Sequence, residues 1–261
     1  MPHWGGGQRA RMGQKTILIT GASSGIGAAL ARAEARAGVT LLLWGRNAAR
    51  LEEVAGECRA RGAEAKSEIF DLSDSAGFAA ALSAADAATP IDLAIFNAGL
   101  GGTAPETRAA EVPETARAIA EVNFVAPVVG ANLIAEAMAR RGGGQIVLVG
   151  SIAESYPLPM APTYAATKAG LRMFAEALRL RLKKHRVIVT LVSPGFIDTP
   201  MSRKVTEPKP FLMTADAAAR IISRRVARGD AAIVVPWQFR VIRAATNLLP
   251  RFVLRWALAR S

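Results

Sequence analysis

The sequence predicts an α/β fold: one doubly wound domain, with a seven-stranded, mainly parallel sheet and helices on both faces. Three observations predict it. Short apolar runs alternate with longer Ala-rich segments that carry Arg and Glu at helical spacing, the mark of repeated β-α-β units. The runs read as continuously apolar rather than alternating, as in strands covered on both faces. The 261 residues, 51% apolar and 21% charged, suffice for one buried core and exclude a disordered chain or a coiled coil.

Residues 1–14 are Gly- and Arg-rich without periodicity and are expected to form a flexible extension, with Met12 as an alternative natural start. The first strand, 16–20, runs through a Gly-rich turn into a helical pattern over 28–37. The second strand, 40–44, precedes a helix over 48–61. Further strands are predicted at 65–70, 93–96, 146–149, 187–192 and 232–235, each separated from the next by a helical stretch. No internal repeat or low-complexity linker divides 15–236. Beyond it, 237–261 reads as a basic amphipathic helical segment on the same domain.

Composition excludes several chemistries. One cysteine, Cys58, excludes a disulfide framework and any multi-Cys metal site. Two histidines, His3 and His185, argue against a His-based metal centre or a His-dependent triad, so no metal is expected. His185 follows Lys183-Lys184 at a predicted helix end, where a cation suits the dipole. The net charge of +12 raises nucleic-acid binding, but the arginines are dispersed and no basic cluster interleaves with aromatics, so no nucleic-acid partner is expected. No uninterrupted apolar run approaches the roughly 18 residues of a spanning helix. The N-terminus lacks the apolar stretch of a signal peptide, and the expected compartment is the cytoplasm.

The first strand ends in Thr20-Gly21-Ala22-Ser23-Ser24-Gly25-Ile26-Gly27. Glycines here permit a tight turn and let phosphate approach the amides of the helix that follows. The spacing departs from G-x-G-x-x-G, so this stretch alone reads as either a dinucleotide turn or an ordinary tight one. At the end of the second strand, where an acid would hold the ribose 2′-hydroxyl of NAD, stands Arg46; a cation suits the 2′-phosphate of NADP. The alternative basic position, just before the second motif glycine, holds Ser24. Asp71-Leu72 closes the third strand; the carboxylate either accepts from an adenine amine or caps the next helix. Asn97-Ala98-Gly99 closes the fourth strand with small residues suited to a cofactor lying across the switch point.

Tyr164-Ala165-Ala166-Thr167-Lys168, with Ser151 upstream at the end of the fifth strand, carries the chemistry. Residues i and i+4 share a helix face, so a phenol and an ammonium meet at one site. A nearby cation favours the phenolate and is expected to lower the Tyr164 pKa, fitting it to exchange a proton with a carbonyl or alcohol oxygen. Ser151 is placed to donate a hydrogen bond to the same oxygen.

In Thr20-Gly21, Gly25-Ile26-Gly27, Asn97-Ala98-Gly99, Asn123, Ser151, Tyr164, Lys168 and Ser193-Pro194-Gly195, taken in this order and spacing, the chain resembles the short-chain dehydrogenase/reductase family over roughly 15–236. The resemblance implies a Rossmann-type fold and hydride transfer between a nicotinamide and a carbonyl/alcohol pair. It implies that Tyr164 is the acid/base, that Lys168 holds the nicotinamide ribose and lowers the Tyr164 pKa, and that Ser151 polarises the substrate oxygen. It implies that Asn123 holds a water relaying protons to Lys168. It implies a cofactor cradle of Gly21, Ser23, Ser24, Gly25, Ile26, Gly27, Arg46, Asp71, Leu72, Asn97, Ala98 and Gly99, with Tyr164, Lys168, Pro194, Gly195, Ile197 and Thr199 on the nicotinamide side. NADP(H) is implied ahead of NAD(H), and a homodimer or homotetramer built on the long helices around strand five is implied as the assembly.

Specificity is expected from loops 100–107, 152–163 and 196–213. They carry Leu100, Leu158, Met160, Phe196, Met201, Phe211 and Leu212, with few charges. That lining points to an apolar ketone, aldehyde or 3-oxoacyl-type small molecule, unless these residues mainly pack the cover itself; Met160, Phe196, Met201 and Phe211 are the substrate candidates. The short stretch 202–212 suggests an open or mobile cover. After Asp230 the chain has no acid, while Arg240, Arg243, Arg251, Arg255 and Arg260 lie opposite much of Val241, Ala245, Leu248, Phe252, Trp256 and Ala259, with Pro250 dividing two helices. This segment suits peripheral contact with a membrane surface, a partner subunit, or a cap on the active site. A catalytically idle NADP-binding sensor or scaffold is the alternative to an enzyme, and Tyr164 beside Lys168 has no purpose in it.

Overall fold

The computed structural model describes residues 15–102 and 108–247. Each predicted run is a strand: β1 (Lys15–Thr20), β2 (Val39–Gly45), β3 (Glu64–Ile69), β4 (Leu93–Phe96), β5 (Gly144–Val149) and β6 (Val187–Pro194). After two short strands, β7 (Ile197–Asp198) and β8 (Met213–Thr214), β9 (Ala232–Val235) completes the sheet. Its order is β3-β2-β1-β4-β5-β6-β9, with every pairing parallel. The order reverses between β1 and β4, which opens a crevice at the carboxyl ends of the strands, where ligands bind in doubly wound sheets.

The helices are α1 (Gly25–Glu34), α2 (Ala48–Ala60), α3 (Ser75–Ala88), α4 (Pro113–Ala120), α5 (Ala126–Arg140), α6 (Pro162–Leu182), α7 (Ala215–Ala227) and α8 (Gln238–Asn247). Alternate strand residues supply the two cores. Ile17, Ile19, Leu41 and Leu43 meet Leu30 of α1, Leu51 of α2 and Ile222 of α7 on one face. Leu18, Leu42 and Trp44 meet Phe78 of α3, Ile134 of α5 and Leu171 of α6 on the other.

One expectation fails at the sheet edge. The third strand is not a covered apolar run: Glu64, Lys66, Ser67, Glu68 and Ile69 are exposed, and only Ala65 is half-buried. An edge strand pairs on one side only, so its outer positions have no helix to bury against. The cap reading of Asp71 also fails, because Asp74 caps α3 by accepting from the Gly77 amide at 2.9 Å.

The long helix between β4 and β5 is not regular. Between α4 and α5, Glu121–Val125 forms a π-helical turn centred on Asn123. The composite helix from Pro113 to Arg140 is long and apolar enough to cross a membrane by length and composition alone, but half of its apolar window is buried inside the protein. It serves as a core helix, packed on α3, α6 and the sheet. The expected extension at 1–14 lies outside the described residues, as do residues 103–107 of the expected specificity loop 100–107 and the segment from Leu248 through Pro250, Arg251, Phe252, Arg255, Trp256 and Ala259 to Arg260.

Candidate active site

The glycine turn after β1 is shaped by close packing. Gly21 has φ +68°, and a Cβ there would stand 2.8 Å from Ala98 Cα. Gly25 has φ +55°, and a Cβ there would stand 3.0 Å from the Thr199 methyl, so the turn and the loop after β6 meet across the crevice. Thr20 and Asn97 tie the turn to β4: Thr20 Oγ1 accepts from the amides of Asn97 (3.0 Å) and Ala98 (3.1 Å), and Asn97 Nδ2 donates to the Thr20 carbonyl at 3.1 Å.

A Cβ at Gly27 would lie 2.3 Å from the Gly21 carbonyl oxygen and 2.5 Å from Asn97 Nδ2, with nowhere to yield. Gly27→Ala is therefore expected to cost about 3 kcal/mol of stability and to abolish dinucleotide binding. Urea unfolding checks this, with Gly56→Ala as control. Gly56 lies inside α2 with nothing within 4 Å of an added Cβ, so that change is expected to be neutral or stabilising.

Side chains cap α2 (Asn47, from the Arg50 amide), α3 (Asp74) and α7 (Thr214, from the Ala217 amide). The N-cap of α1 is Ser24, which is extended and makes no side-chain cap bond. Its first amides are thus left for an anion at the positive end of the helix dipole. Ser23 packs on Gly45 at the end of β2, and Ile26 packs against the α1-side core. Arg46 stands exposed just beyond that strand end, and its charge acts on Asp71. Asp71 Oδ1 accepts from the Ser73 amide (3.0 Å) and hydroxyl (2.9 Å); these bonds hold its carboxyl below the usual range. The Leu72 side chain is buried in the core, so only its backbone faces the crevice loop.

The four catalytic candidates converge from three elements. Ser151 caps the 3-10 turn Ile152–Ser155, its Oγ accepting from the Ala153 amide at 3.2 Å. Tyr164 and Lys168 share one face of α6, with Lys168 Nζ 5.7 Å from the Tyr164 ring centroid. Lys168 is buried and donates to the Val149 carbonyl at 3.0 Å. Asn123 is buried in the π turn; its Oδ1 accepts from the Leu100 amide at 2.7 Å and its Nδ2 donates to the Leu100 carbonyl at 2.9 Å. A Cβ on Gly99 would lie 3.4 Å from Asn123 Oδ1 and 3.7 Å from Lys168 Nζ, so Gly99 marks where those two side chains meet.

The electrostatics differ from the expected pattern. The Tyr164 phenol is pushed up, not down: burial raises it most, the Ser151 hydroxyl bonded to it pulls it back, and the Glu154 carboxylate raises it further. The same desolvation lowers Lys168 to about 8 against the favourable field of Glu154. Both groups are driven toward their neutral forms, as burial requires.

Around the mouth, Phe196 and Phe211 pack edge-on against Phe239 of α8, with centroids 6.0 and 5.7 Å away. Phe211 adopts φ +58°, a left-handed conformation costly for a bulky residue. Phe239 also occupies the space a Cβ at Gly195 would need, at 2.4 Å. Gly195 of the Ser193-Pro194-Gly195 stretch thus lets the C-terminal helix close on β6. Met201 lies over Gly101, 3.1 Å from a Cβ placed there, and Met160 stands exposed before α6. Thr199 and Ser202 bond reciprocally through amide and hydroxyl groups, while the Ile197 side chain is buried in the core.

Two residues of this site escaped the sequence reading, Phe239 and Glu154. The first carried only the signal of an apolar residue beside the C-terminal arginines. The second is a buried acid three residues after Ser151. Cys58 is buried and its thiol pushed up by that burial, which leaves it inert. Among the described residues no group of His, Cys, Asp and Glu could hold a metal.

The family model described as short chain dehydrogenase matches residues 15–210. An uncharacterized oxidoreductase of Myxococcus xanthus (strain DK1622) is 34% identical over 243 residues, covering 92% of this chain and 95% of that protein. The structure of a short-chain dehydrogenase from Sphingobium yanoikuyae in complex with NADPH superposes with a TM-score of 0.78 at 26% identity, over 89% of this chain and 94% of that one. That of the bulky-bulky ketone specific alcohol dehydrogenase from Comamonas testosteroni superposes with a TM-score of 0.74 at 25% identity, over 90% and 95%. With the parallel sheet, the glycine turn and the Ser-Tyr-Lys cluster in place, the chain belongs to the short-chain dehydrogenase/reductase family of oxidoreductases.

Proposed function

We propose that the chain is an NADP(H)-dependent reductase of an apolar ketone, aldehyde or 3-oxoacyl-type substrate. The observation that carries this reading is the convergence of Ser151, Tyr164, Lys168 and Asn123 at the crevice beside Gly99. The cradle fits a dinucleotide: the α1 N-terminus has no side-chain cap, the glycine turn packs too closely for any Cβ, and Arg46 is exposed beside it. Ser23, Ser24, Gly25, Ile26 and the α1 amides would hold the phosphates, Arg46 the 2′-phosphate, Asp71 and Leu72 the adenine edge, and Asn97, Ala98, Gly99, Pro194, Gly195, Ile197 and Thr199 the nicotinamide end. When bound, NADP(H) supplies or accepts a hydride at the nicotinamide ring.

Tyr164 donates its phenolic proton to the carbonyl oxygen as that oxygen becomes an alcohol, and takes the proton back in the reverse direction. Ser151 donates a hydrogen bond to the same oxygen and holds it against Tyr164. Lys168 would bind the ribose hydroxyls of the cofactor, and its ammonium favours the phenolate left on Tyr164. The Asn123 amide is held at both ends by Leu100, which fixes the side chain beside Lys168 and supports the reading that this residue positions a proton-relaying water.

Phe196, Met201 and Phe211 support an apolar substrate, as does the bulky-ketone specificity of the Comamonas enzyme. Assembly as a dimer or tetramer is supported by apolar side chains left exposed on the long helices: Leu133 on α5, Met173 and Leu180 on α6. Among the described residues of 237–261, the outward Trp237, Val241 and Ile242 support contact with a membrane, while Phe239 and Arg243 turn inward to the site.

The test is NADPH oxidation over a panel of aldehydes, ketones and 3-oxoacyl thioesters. Turnover that rises with apolar length is expected. NADPH bound without turnover on any of them would overturn the reductase reading, and a preference for polyhydroxylated substrates would overturn the apolar one. In the same assay Arg46→Ala is expected to raise the KM for NADPH about 10- to 100-fold while leaving that for NADH nearly unchanged. Equal effects on the two cofactors would remove Arg46 from the 2′-phosphate.

A further inference from the structure

The proton transfer just described makes no use of Glu154, yet its side chain is completely buried in the heart of the site. Oε1 accepts from the Ser193 hydroxyl at 2.8 Å and from the Arg243 guanidinium at 3.0 Å. Oε2 has no hydrogen-bond partner among the described residues and lies 2.7 Å from where a Cβ on Gly150 would stand. Buried polar atoms are nearly always paired, and an exception calls for a reason.

The three groups joined here come from parts of the chain far apart in sequence. Glu154 sits on the turn that Ser151 caps. Ser193 immediately precedes Pro194 and Gly195 on β6. Arg243 belongs to α8, whose Phe239 already closes on Gly195. The charged and titratable groups acting on or answering to Glu154 are Arg243 of α8 and Arg172, Tyr164 and Lys168 of α6; Ser193 of β6 is neutral. Burial pushes the Glu154 carboxyl up, and Ser193, Arg243, the Ser151 backbone bond and Arg172 pull it back toward the ionised form.

We propose that Glu154, clamped by Ser193 and Arg243, is a positioning residue for proton transfer. It locks the Ser151 turn to the strand end carrying Pro194 and Gly195, sets a negative charge beside the Tyr164–Lys168 pair, and makes the C-terminal helix a working part of the active site. This rests on the reading of Tyr164 as the acid. The sign of the effect follows from Coulomb's law: a carboxylate nearby favours the protonated phenol and the protonated ammonium, and reduction requires both.

The experiment is the pH profile of kcat/KM for NADPH-dependent reduction by the full chain. Glu154→Gln keeps the shape and an acceptor for Ser193 but removes the charge. It is expected to move the alkaline limb about one pH unit lower, while Glu154→Asp leaves the limb in place. If Glu154→Gln does not fold, Arg243→Gln carries the test: losing the cation uncovers the carboxylate and is expected to move the limb upward, with Arg243→Lys restoring it. A purely structural role predicts lower melting temperatures with an unmoved limb in every folded variant, and that result overturns the proposal while leaving the reductase reading intact. Absence of turnover in the parent chain overturns both.

Discussion

Tyr164→Phe is expected to lower turnover by about three orders of magnitude, within the range a positioned acid contributes, and to leave NADPH binding nearly unchanged. The substitution removes a single oxygen. The ring still packs at the mouth of the crevice, and Lys168 keeps its bond to the Val149 carbonyl. What is lost is the proton that neutralises the developing alkoxide, together with the partner of the Ser151 hydroxyl. Single-turnover kinetics beside NADPH fluorescence titration separates the two effects. The chain has two tyrosines, and the other, Tyr156, lies half-buried in the stretch between the Ile152–Ser155 turn and α6. Activity surviving in Tyr164→Phe and vanishing in Tyr156→Phe would reassign the acid.

Lys168→Met is expected to do two opposite things: lower turnover at least 100-fold, and stabilise the cofactor-free protein by about 2 kcal/mol. Burial lowers the folded-state pKa of Lys168 to about 8 from its ordinary 10.5. Below about 8 the ammonium is present in both folded and unfolded chains, and the folded state bears the whole cost of burying it. Between about 8 and 10.5 the unfolded chain holds more protons, so stability rises with pH through that window. The gap corresponds to an upper figure of about 3 kcal/mol, reduced by about 1 for the lost bond to Val149. For a chain of this size the net gain corresponds to roughly 5 °C in unfolding midpoint at neutral pH. In Lys168→Met the rise in stability between pH 8 and 10.5 should flatten. A variant no more stable than its parent would mean that the charge is not held at a cost, and that Glu154 compensates it in full.

The sheet was legible because every strand but one is a dense apolar run, and a parallel sheet buried on both faces needs just such runs. The third strand, with Glu64, Lys66 and Glu68, was placed by its neighbours and its burial misjudged, because an outer position follows from strand order rather than from composition. Ser151, Tyr164 and Lys168 were legible because helical spacing puts the last two on one face. Asn123 was not legible from its neighbours, since the π turn that presents it leaves no periodic trace. Glu154 was invisible for a different reason. Its partners Ser193 and Arg243 lie 39 and 89 residues away, and only the folded chain turns an ordinary glutamate into a buried one. The direction of the Tyr164 shift was misjudged because spacing reveals a neighbouring cation but not how little water reaches either group.

The exposed third strand has a consequence for how copies of this chain meet. A free strand border invites another chain to continue the ladder, and this one is guarded. Arg59 of α2 donates to the Ala65 carbonyl at 3.0 Å, Ser67 donates to Glu52 at 2.8 Å, and alternating charges point outward along the rest. An incoming strand would have to displace a guanidinium from a main-chain acceptor and strip water from two carboxylates and an ammonium. The border therefore resists extension of the sheet by a further strand. A chain with Arg59, Lys66 and Glu68 neutralised together would keep its crevice and lose that protection, leaving the strand open to edge-to-edge aggregation.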